Sequence, residues 1–381
     1  MTRPVRVPFY DHGAAYREIK LAIDAALHRV LASGAYEQAT EVAAFEAEFA
    51  AYLDVPHAVA TGSCGDAIER ALSGCGIGPG DEVITVSNTD IACTAAIHRV
   101  GATTRFVDIR EETYNMDPED LAAHITTKTR AILVVHMYGL PADMTRILEI
   151  ASRNDLAVIE DCALAVGARF NGRCVGTFAD AGCFSHAPSK ILSNYGDGGT
   201  LVLADAERAE RARHAHLYWQ MRDPREHRFS QGFHLVEEGS QSRMVEWTAA
   251  VLRVKLQRLE EWIARRRRIA ETYTERLQGV GLILPAESRE TQHVYRNYVV
   301  RVPRDRDGVR KRLAESGIET GMHYAPPLHL QPVYESLGYR AGDLPATERV
   351  ADDLLGLPIY PTLSEEQLAW IVTSLRKAIE N

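Results

Sequence analysis

Lys190 has the residue type and the surroundings that Schiff-base chemistry requires. It lies after a short apolar segment and five residues beyond Ser185. Its amine could bond a cofactor aldehyde, and the Ser185 hydroxyl could hold that cofactor's phosphate. Asp161, at the end of the apolar run 156–159, could supply a carboxylate for a pyridinium nitrogen. A Schiff-base lysine with an acidic partner is the arrangement that pyridoxal phosphate (PLP) enzymes use.

These three residues also have simpler interpretations. Most lysines are solvated surface residues, and an aspartate after a strand often caps the following helix. A PLP site requires that the surrounding helices and strands bring the three side chains together.

Short β-branched segments alternate with helical patterns along the N-terminal part of the chain. This alternation predicts an α/β fold with a mostly parallel sheet that helices cover on both faces. Ligands of such sheets bind beyond the carboxyl ends of the strands, which is where Asp161 falls. The predicted strands are 57–61, 82–86, 104–107, 131–135, 156–159, 182–185 and 200–203, and helices are predicted at 14–33, 66–72, 91–100, 118–123 and 143–154.

The pattern changes after residue 206. Residues 206–240 are rich in Arg, His and aromatic residues, and we interpret them as a lid or a subunit contact. A long helical pattern at 244–277 follows, with Trp247 and Trp262 predicted to face inward. We therefore predict a large cofactor-binding domain at 1–250 and a smaller C-terminal α+β domain, including the bridging helix, at 251–381.

Composition excludes several classes of protein. The 381 residues carry a formal net charge of −9, whereas a nucleic-acid-binding protein needs a basic surface. The chain has no apolar run long enough to span a membrane, and its first residues lack the apolar core of a signal peptide. The six cysteines have no CxxC spacing, which indicates reduced thiols of a cytoplasmic protein and no metal site.

Two glycine-containing turns have different meanings. The turn 61–66 follows a strand and leads into a helix, so its backbone N–H groups could bind phosphate at Ser63, Cys64 and Gly65. A simple connecting turn is the alternative. The second stretch, 74–80, precedes a strand, which is the wrong order for a dinucleotide-binding fingerprint.

The segment 323–332 brings several polar side chains into one proline-stiffened region. Such a region suits a sugar or a nucleotide better than an apolar ligand, although a surface loop is an equally simple interpretation. The candidate substrate-binding residues are His323, Tyr324, His329 and Gln331.

Taken together, the order of these motifs resembles the DegT/DnrJ/EryC1/StrS family of PLP-dependent sugar aminotransferases. The resemblance covers nearly the whole chain and implies a type I aminotransferase fold and a homodimer with shared active sites. The motifs that carry it are Gly78-Pro79-Gly80-Asp81, His136-Met137-Tyr138-Gly139, Ile159-Glu160-Asp161, Phe184-Ser185 to Lys190, Gly196-Asp197-Gly198-Gly199, His323-Tyr324 and His329-Leu330-Gln331-Pro332.

The resemblance also implies residue roles. Lys190 would be the Schiff-base lysine, and Asp161 would hold the pyridine nitrogen. Ser185 and the Ser63–Gly65 turn would hold the phosphate, while Gln241 and Arg243 would reach the cofactor phosphate of the partner subunit.

Some positions depart from the family pattern. Asp90 stands where relatives place an aromatic residue over the cofactor ring, and Leu164 stands in place of a glutamine near the phenolic oxygen. Val166, Gly65 and Ile191 replace a usual histidine, threonine and asparagine. A missing stacking partner should weaken cofactor binding by roughly 1 kcal/mol.

The predicted reaction is a transamination through PLP and pyridoxamine phosphate (PMP). The amino donor would be glutamate or glutamine, and the acceptor would be a keto-sugar, with an NDP-3-keto-6-deoxyhexose of amino-sugar or antibiotic biosynthesis favoured. A 4-keto-sugar, a keto-cyclitol, another PLP reaction such as a dehydration, and a non-catalytic PLP-binding regulator are the alternatives.

Overall fold

The structure is a computed structural model that describes residues 7–37, 39–215, 217–221 and 235–380, with side chains described outside 214–240. Its helices are α1 His12–Ser33, α2 Thr40–Leu53, α3 Cys64–Gly74, α4 Ile91–Arg99, α5 Pro118–Ala123, α6 Met144–Arg153, α7 Ala206–Ala215, α8 Glu246–Leu256, α9 Leu259–Leu277, α10 Arg306–Glu315, α11 Pro345–Asp353 and α12 Glu365–Glu380. Its strands are β1 His57–Thr61, β2 Glu82–Val86, β3 Thr103–Val107, β4 Thr129–Val135, β5 Ala157–Asp161, β6 Arg169–Phe170, β7 Arg173–Cys174, β8 Ala181–Ser185, β9 Gly199–Leu203, β10 Leu217–Met221, β11 Leu235–Gln241, β12 Thr291–Gln292, β13 Tyr298–Arg301 and β14 Leu354–Leu357.

A seven-stranded sheet with the order β1-β9-β8-β5-β4-β2-β3 forms the centre of the large unit. The pairs β8–β5, β5–β4, β4–β2 and β2–β3 are parallel, and β9 runs antiparallel to both of its neighbours. The strands are short, β-branched and almost fully buried, as expected for a sheet with helices on both faces. The prediction of a mostly parallel α/β sheet is confirmed, and each predicted strand lies within a few residues of an observed one.

The parallel direction has one consequence for function. Because β1, β2, β4, β5 and β8 point the same way, the residues that follow them meet at one edge of the sheet. We call this edge the carboxyl edge. Antiparallel β9 begins there, with Gly199 paired to both Thr61 and Ser185.

Several predicted elements were wrong in detail. The helical pattern at 244–277 forms two helices, α8 and α9, and Trp247 is 41% exposed while Trp262 is buried. The helix α2 was not predicted. No regular element was predicted within 206–240, but the described residues there form helix α7 and the paired strands β10 and β11. The remainder of that segment lies outside the described residues.

A second core lies in the C-terminal part of the chain. Its apolar side chains come from the later turns of α9, from β13, β14, α10 and α12, and from Val7. The early part of α9 packs instead with α2 and α8, so α9 bridges the two cores. The domain boundary predicted at residue 250 falls within α8, and the division into two domains remains our proposal. None of the described helices combines the length and the apolar character needed to cross a membrane.

Candidate active site

The carboxyl edge brings together residues that are far apart in the sequence. Asp161 is the last residue of β5, and Ser185 is the last residue of β8. The turn after β1 carries Ser63 and lies against the start of β9. A Cβ on Gly199 would lie 2.3 Å from the backbone carbonyl of Ser63, so only glycine allows this close approach.

Lys190 lies in the loop between β8 and β9, where its backbone N–H donates to the carbonyl of Ala187. Its side chain is half-buried. Burial lowers the pKa of Lys190, and the nearby positive charge of Arg296 lowers it further, whereas Asp161 acts in the opposite direction. A lysine with a lowered pKa is more often neutral and therefore nucleophilic.

The Asp161 carboxylate is buried beside two thiols. Cys93 Sγ donates to one carboxylate oxygen at 2.9 Å, and Cys64 Sγ lies 3.9 Å from the other. The backbone N–H of Ala163 also donates to the carboxylate at 2.8 Å. Burial, and after it the negative charge of Asp161, raises the pKa values of both thiols. The thiols therefore remain protonated donors at neutral pH.

The turn after β1 caps helix α3. Ser63 Oγ accepts a hydrogen bond from the N–H of Asp66 and donates to the Asp66 carboxylate at 2.8 Å. The N–H groups of Cys64 and Gly65 belong to the first turn of α3 and have no partner within that helix. Such N–H groups suit a phosphate. Arg99 pairs with Asp66 at 3.4 Å, which balances the carboxylate in this turn.

Asp90 and Leu164, which depart from the family pattern, both lie at the carboxyl edge but differ in exposure. Asp90 is exposed, caps helix α4 through the N–H of Ala92 at 2.9 Å, and influences the pKa values of Lys190 and Tyr324. Leu164 is buried, in the turn after β5.

The residues that were expected to reach a partner subunit contact their own chain or solvent. Gln241 is exposed at the end of β11. Arg243 pairs with Glu37 at 3.1 Å. Between them, Ser242 Oγ accepts from the N–H of Gly62 and donates to the Asp66 carboxylate. This segment therefore lies beside the Ser63 turn.

His323 and Tyr324 of the C-terminal part reach the same site. Burial lowers the pKa of His323 to about 4, the positive charges of Arg296 and Lys190 lower it further, and the charge of Asp90 acts in the opposite direction. Tyr324 is buried enough to raise its pKa, and the charge of Asp90 raises it further. The hydroxyl of Tyr138, in the turn after β4, donates to the carbonyl of His323 and ties the two parts together.

The other two predicted substrate-binding residues are occupied within the chain. His329 is buried, with one ring nitrogen 2.7 Å from Ser87 Oγ and the other 3.1 Å from the Glu348 carboxylate. This arrangement makes it a positioning residue for the loop after β2. Gln331 donates to the carbonyl of Pro326 at 3.0 Å and braces its own loop.

Arg296 and Tyr10 are further residues near Lys190 that the sequence did not single out. The Arg296 guanidinium lies 4.6 Å from the centre of the Tyr10 ring. The only sequence signal was an arginine two residues before the apolar strand β13.

His136, Glu160 and Cys162 form a buried group with ligand atoms within 4.8 Å of one another. Both nitrogens of His136 and both oxygens of Glu160 already take part in hydrogen bonds. We therefore interpret this group as a hydrogen-bond network that holds β4 and β5 together.

A cavity of about 940 Å³ lies elsewhere, between α10 and the segment 317–330. Its lining contains neither Lys190 nor Asp161. We locate the active site by the chemistry of its side chains, because a lysine and a carboxylate placed together at the carboxyl edge say more about reactivity than cavity size does.

The chain as a whole matches a known family of proteins. The sequence profile of the DegT/DnrJ/EryC1/StrS aminotransferase family matches residues 17–376. The chain belongs to this family. It is 42% identical, over 98% of its length and 97% of the relative's, to dTDP-3-amino-3,4,6-trideoxy-alpha-D-glucose transaminase of Streptomyces venezuelae. It is also 41% identical, over 97% and 98%, to a pleiotropic regulatory protein of Geobacillus stearothermophilus.

Solved structures of family members have the same fold. The crystal structure of S. venezuelae DesV in complex with a ketimine intermediate superimposes with a TM-score of 0.93, at 42% identity and over 100% of both chains. Bacillus subtilis NtdA with bound PMP gives 0.90 at 27% identity, over 100% of this chain and 86% of that one. The type I aminotransferase fold is therefore confirmed, and the protein is an aminotransferase of a PLP-dependent family.

Proposed function

We propose that this aminotransferase moves an amino group from glutamate or glutamine to C-3 of a nucleotide-linked keto-sugar. The observation that carries the proposal is the meeting of Lys190, Asp161 and the Ser63 turn at one edge of the sheet. Support for the acceptor comes from the S. venezuelae relative, whose name specifies a 3-amino sugar carried by dTDP.

The residues at the carboxyl edge suit PLP. Asp161 is buried, and no cation among the described residues pairs with its carboxylate, which leaves it able to accept from a pyridinium N–H. The N–H groups of Cys64 and Gly65, which have no partner within helix α3, would hold the phosphate together with Ser185. Lys190 would bond the aldehyde, and Asp90 and Leu164 would lie beside the ring.

When bound, PLP supplies an aldehyde that condenses with amines and a ring that takes up the electron pair of a breaking C–H bond. Asp161 would accept a hydrogen bond from the protonated ring nitrogen, which would make that electron uptake favourable. The Lys190 amine would take the proton from the donor Cα. A positioned general base of this kind typically contributes about 10²–10⁴-fold. His323 and Tyr324 would orient the acceptor sugar.

A homodimer is part of this proposal. The exposed position of Gln241 beside the Ser63 turn is compatible with a contact to a second copy of the chain. Sedimentation of the purified protein would test it, since a monomer at working concentration would contradict a shared active site. A cytoplasmic location and a role in antibiotic or amino-sugar biosynthesis remain predictions.

Absorbance spectroscopy tests the enzyme assignment. Purified protein with PLP should be yellow, and borohydride should fix the cofactor onto Lys190. Glutamate or glutamine should then convert the chromophore to the PMP form, and a panel of 3-keto and 4-keto nucleotide sugars should restore it. Lys190→Ala should abolish the borohydride fixation and both conversions, whereas Lys128→Ala, at an exposed position, should not.

Two outcomes would contradict the proposal. A colourless protein that does not bind added PLP would contradict the assignment as a PLP-dependent enzyme. A yellow protein that no amino acid converts would favour the regulator alternative, for which the similarity to the Geobacillus stearothermophilus protein is the supporting observation.

A further inference from the structure

Two arginines are buried next to Lys190 without an acidic partner. Arg296 is 3% exposed and Arg266 is 6% exposed. Among the described residues, no carboxylate pairs with either guanidinium. A buried charge without a partner is strongly unfavourable, so such a group marks a place where an anion binds.

Arg296 makes few hydrogen bonds with the described residues. Its guanidinium makes a single described side-chain hydrogen bond, at 3.3 Å to the Asn297 amide oxygen, and its buried Nε has no partner. The Tyr10 hydroxyl and His323 Nδ1 are also buried without a partner. A guanidinium has five N–H donors in a planar fork that fits a carboxylate.

The backbone around Arg296 is held firmly in place. The N–H of Val294 donates to the backbone carbonyl of Gly139 at 3.1 Å, and the N–H of Asn297 donates to the backbone carbonyl of Tyr138 at 3.4 Å. Arg266 donates to the carbonyl of Tyr295, the residue before Arg296, at 3.2 Å. The segment is therefore fixed against the turn that follows β4, at the carboxyl edge.

This location excludes the cofactor phosphate as the anion. The Ser63 turn, which would bind the phosphate, follows β1, whereas the backbone beside Arg296 is bonded to the turn after β4. Strands β9, β8 and β5 separate the two, which corresponds to roughly 19 Å at the usual spacing of strands. Lys190 and Asp161 lie between them, so Arg296 is on the other side of the reacting groups.

We infer that Arg296, with Tyr10 beside it, binds the α-carboxylate of the amino donor. The α-carboxylate is one bond from the carbon that reacts near Lys190, whereas the phosphates of a nucleotide sugar are several bonds from C-3. Arg266 acts as a positioning residue through the carbonyl of Tyr295. The inference rests on the proposed function and identifies the residue that selects amino acids over other amines.

Single-turnover kinetics of the PLP form with glutamate test the inference. Arg296→Gln should lower the rate constant divided by the apparent Kd by about 30- to 3,000-fold, mostly through Kd, because the carboxylate loses a buried charged partner. Arg296→Lys should recover part of the loss. Arg304→Gln, an exposed arginine, is the matched control and should change nothing.

The donor itself offers a complementary test. Isoglutamine, in which an amide replaces the α-carboxylate of glutamate, should react poorly with the wild type. Arg296→Gln should discriminate little between the two donors, because the interaction has already been removed. If the wild type used isoglutamine as well as glutamate, the inference would be wrong, even if the variant failed to fold.

Two further measurements separate Arg296 from a structural or acceptor-binding role. The chromophore of Lys190 bound to PLP should titrate at higher pH in Arg296→Gln, because a nearby positive charge has been removed. The reaction of the PMP form with the keto-sugar should stay within about threefold of the wild type. An unchanged titration, or a large loss in the sugar reaction, would overturn the inference.

Binding of glutarate to the PLP form, measured by calorimetry, does not depend on turnover. It should be lost in Arg296→Gln and kept in Arg304→Gln, and equal binding to both variants would contradict the inference. A wild type that no amino acid converts but that binds glutarate through Arg296 would instead show that the proposed reaction, and not the carboxylate site, is wrong.

Discussion

Replacing Glu160 with glutamine should destabilise the protein strongly although the two side chains have nearly the same shape. Glu160 is fully buried, and its carboxylate accepts four hydrogen bonds. One oxygen accepts from the N–H groups of Phe178 and Ala179 at 2.7 and 3.0 Å. The other accepts from the N–H of Gly176 at 2.7 Å and contacts His136 Nε2 at 3.0 Å.

The protonation of His136 follows from its second partner. His136 Nδ1 accepts from the N–H of Ala142 at 3.0 Å, so Nε2 must carry the hydrogen that is donated to Glu160. A glutamine amide nitrogen cannot accept hydrogen bonds, and it would face two donors in either orientation of the side chain. Two buried donors lose their acceptor, which costs about 1–3 kcal/mol each. The free energy of unfolding should therefore fall by about 2–6 kcal/mol.

Equilibrium unfolding in urea measures this change for Glu160→Gln against the wild type. Glu315→Gln, at an exposed site, is the control and should stay within about 0.5 kcal/mol. A loss below about 1 kcal/mol for Glu160→Gln would refute the argument that the four hydrogen bonds hold the turn after β7 against β5.

Three other predictions concern the close approach of β9 to the Ser63 turn, the position of His329, and the protonation of buried His186. Gly199→Ala should weaken PLP binding at least about tenfold in a titration, because its Cβ would collide with Ser63, whereas Gly74→Ala has open space and should bind normally. His329→Ala should lower the free energy of unfolding by about 1–3 kcal/mol, and a raised acceptor KM at unchanged stability would instead support a substrate-binding role. Burial lowers the pKa of His186 to about 4, so below about pH 6.5 this residue binds fewer protons in the folded chain than in the unfolded chain. His186 alone should therefore lower the free energy of unfolding by about 1.4 kcal/mol per pH unit as the pH falls from about 6.5 to 5, and a flat profile in urea unfolding would contradict this.

The local pattern of the sequence was sufficient for the sheet and for the residues with the strongest chemistry. Strands such as β2 and β5 are short β-branched runs between turns, and this signal needs no knowledge of the rest of the chain. Asp161 ends such a strand and Lys190 follows another, so the rule that parallel strands end at one edge places both residues there. Helix boundaries were less certain because the break between α8 and α9 has neither proline nor glycine to mark it.

Only the tertiary structure decided what the polar residues outside these strands do. His329 is a histidine in a polar loop by sequence, but folding buries it between Ser87 and Glu348, which are distant along the chain. Arg296 is one of many arginines by sequence, but the fold buries it beside Lys190, and no carboxylate of the described residues pairs with it. Periodicity reports which face of a strand or helix is buried, whereas the partners of a buried charge depend on contacts between distant segments. The sequence therefore determined the lysine and its sheet, and the fold decided which charges surround that lysine.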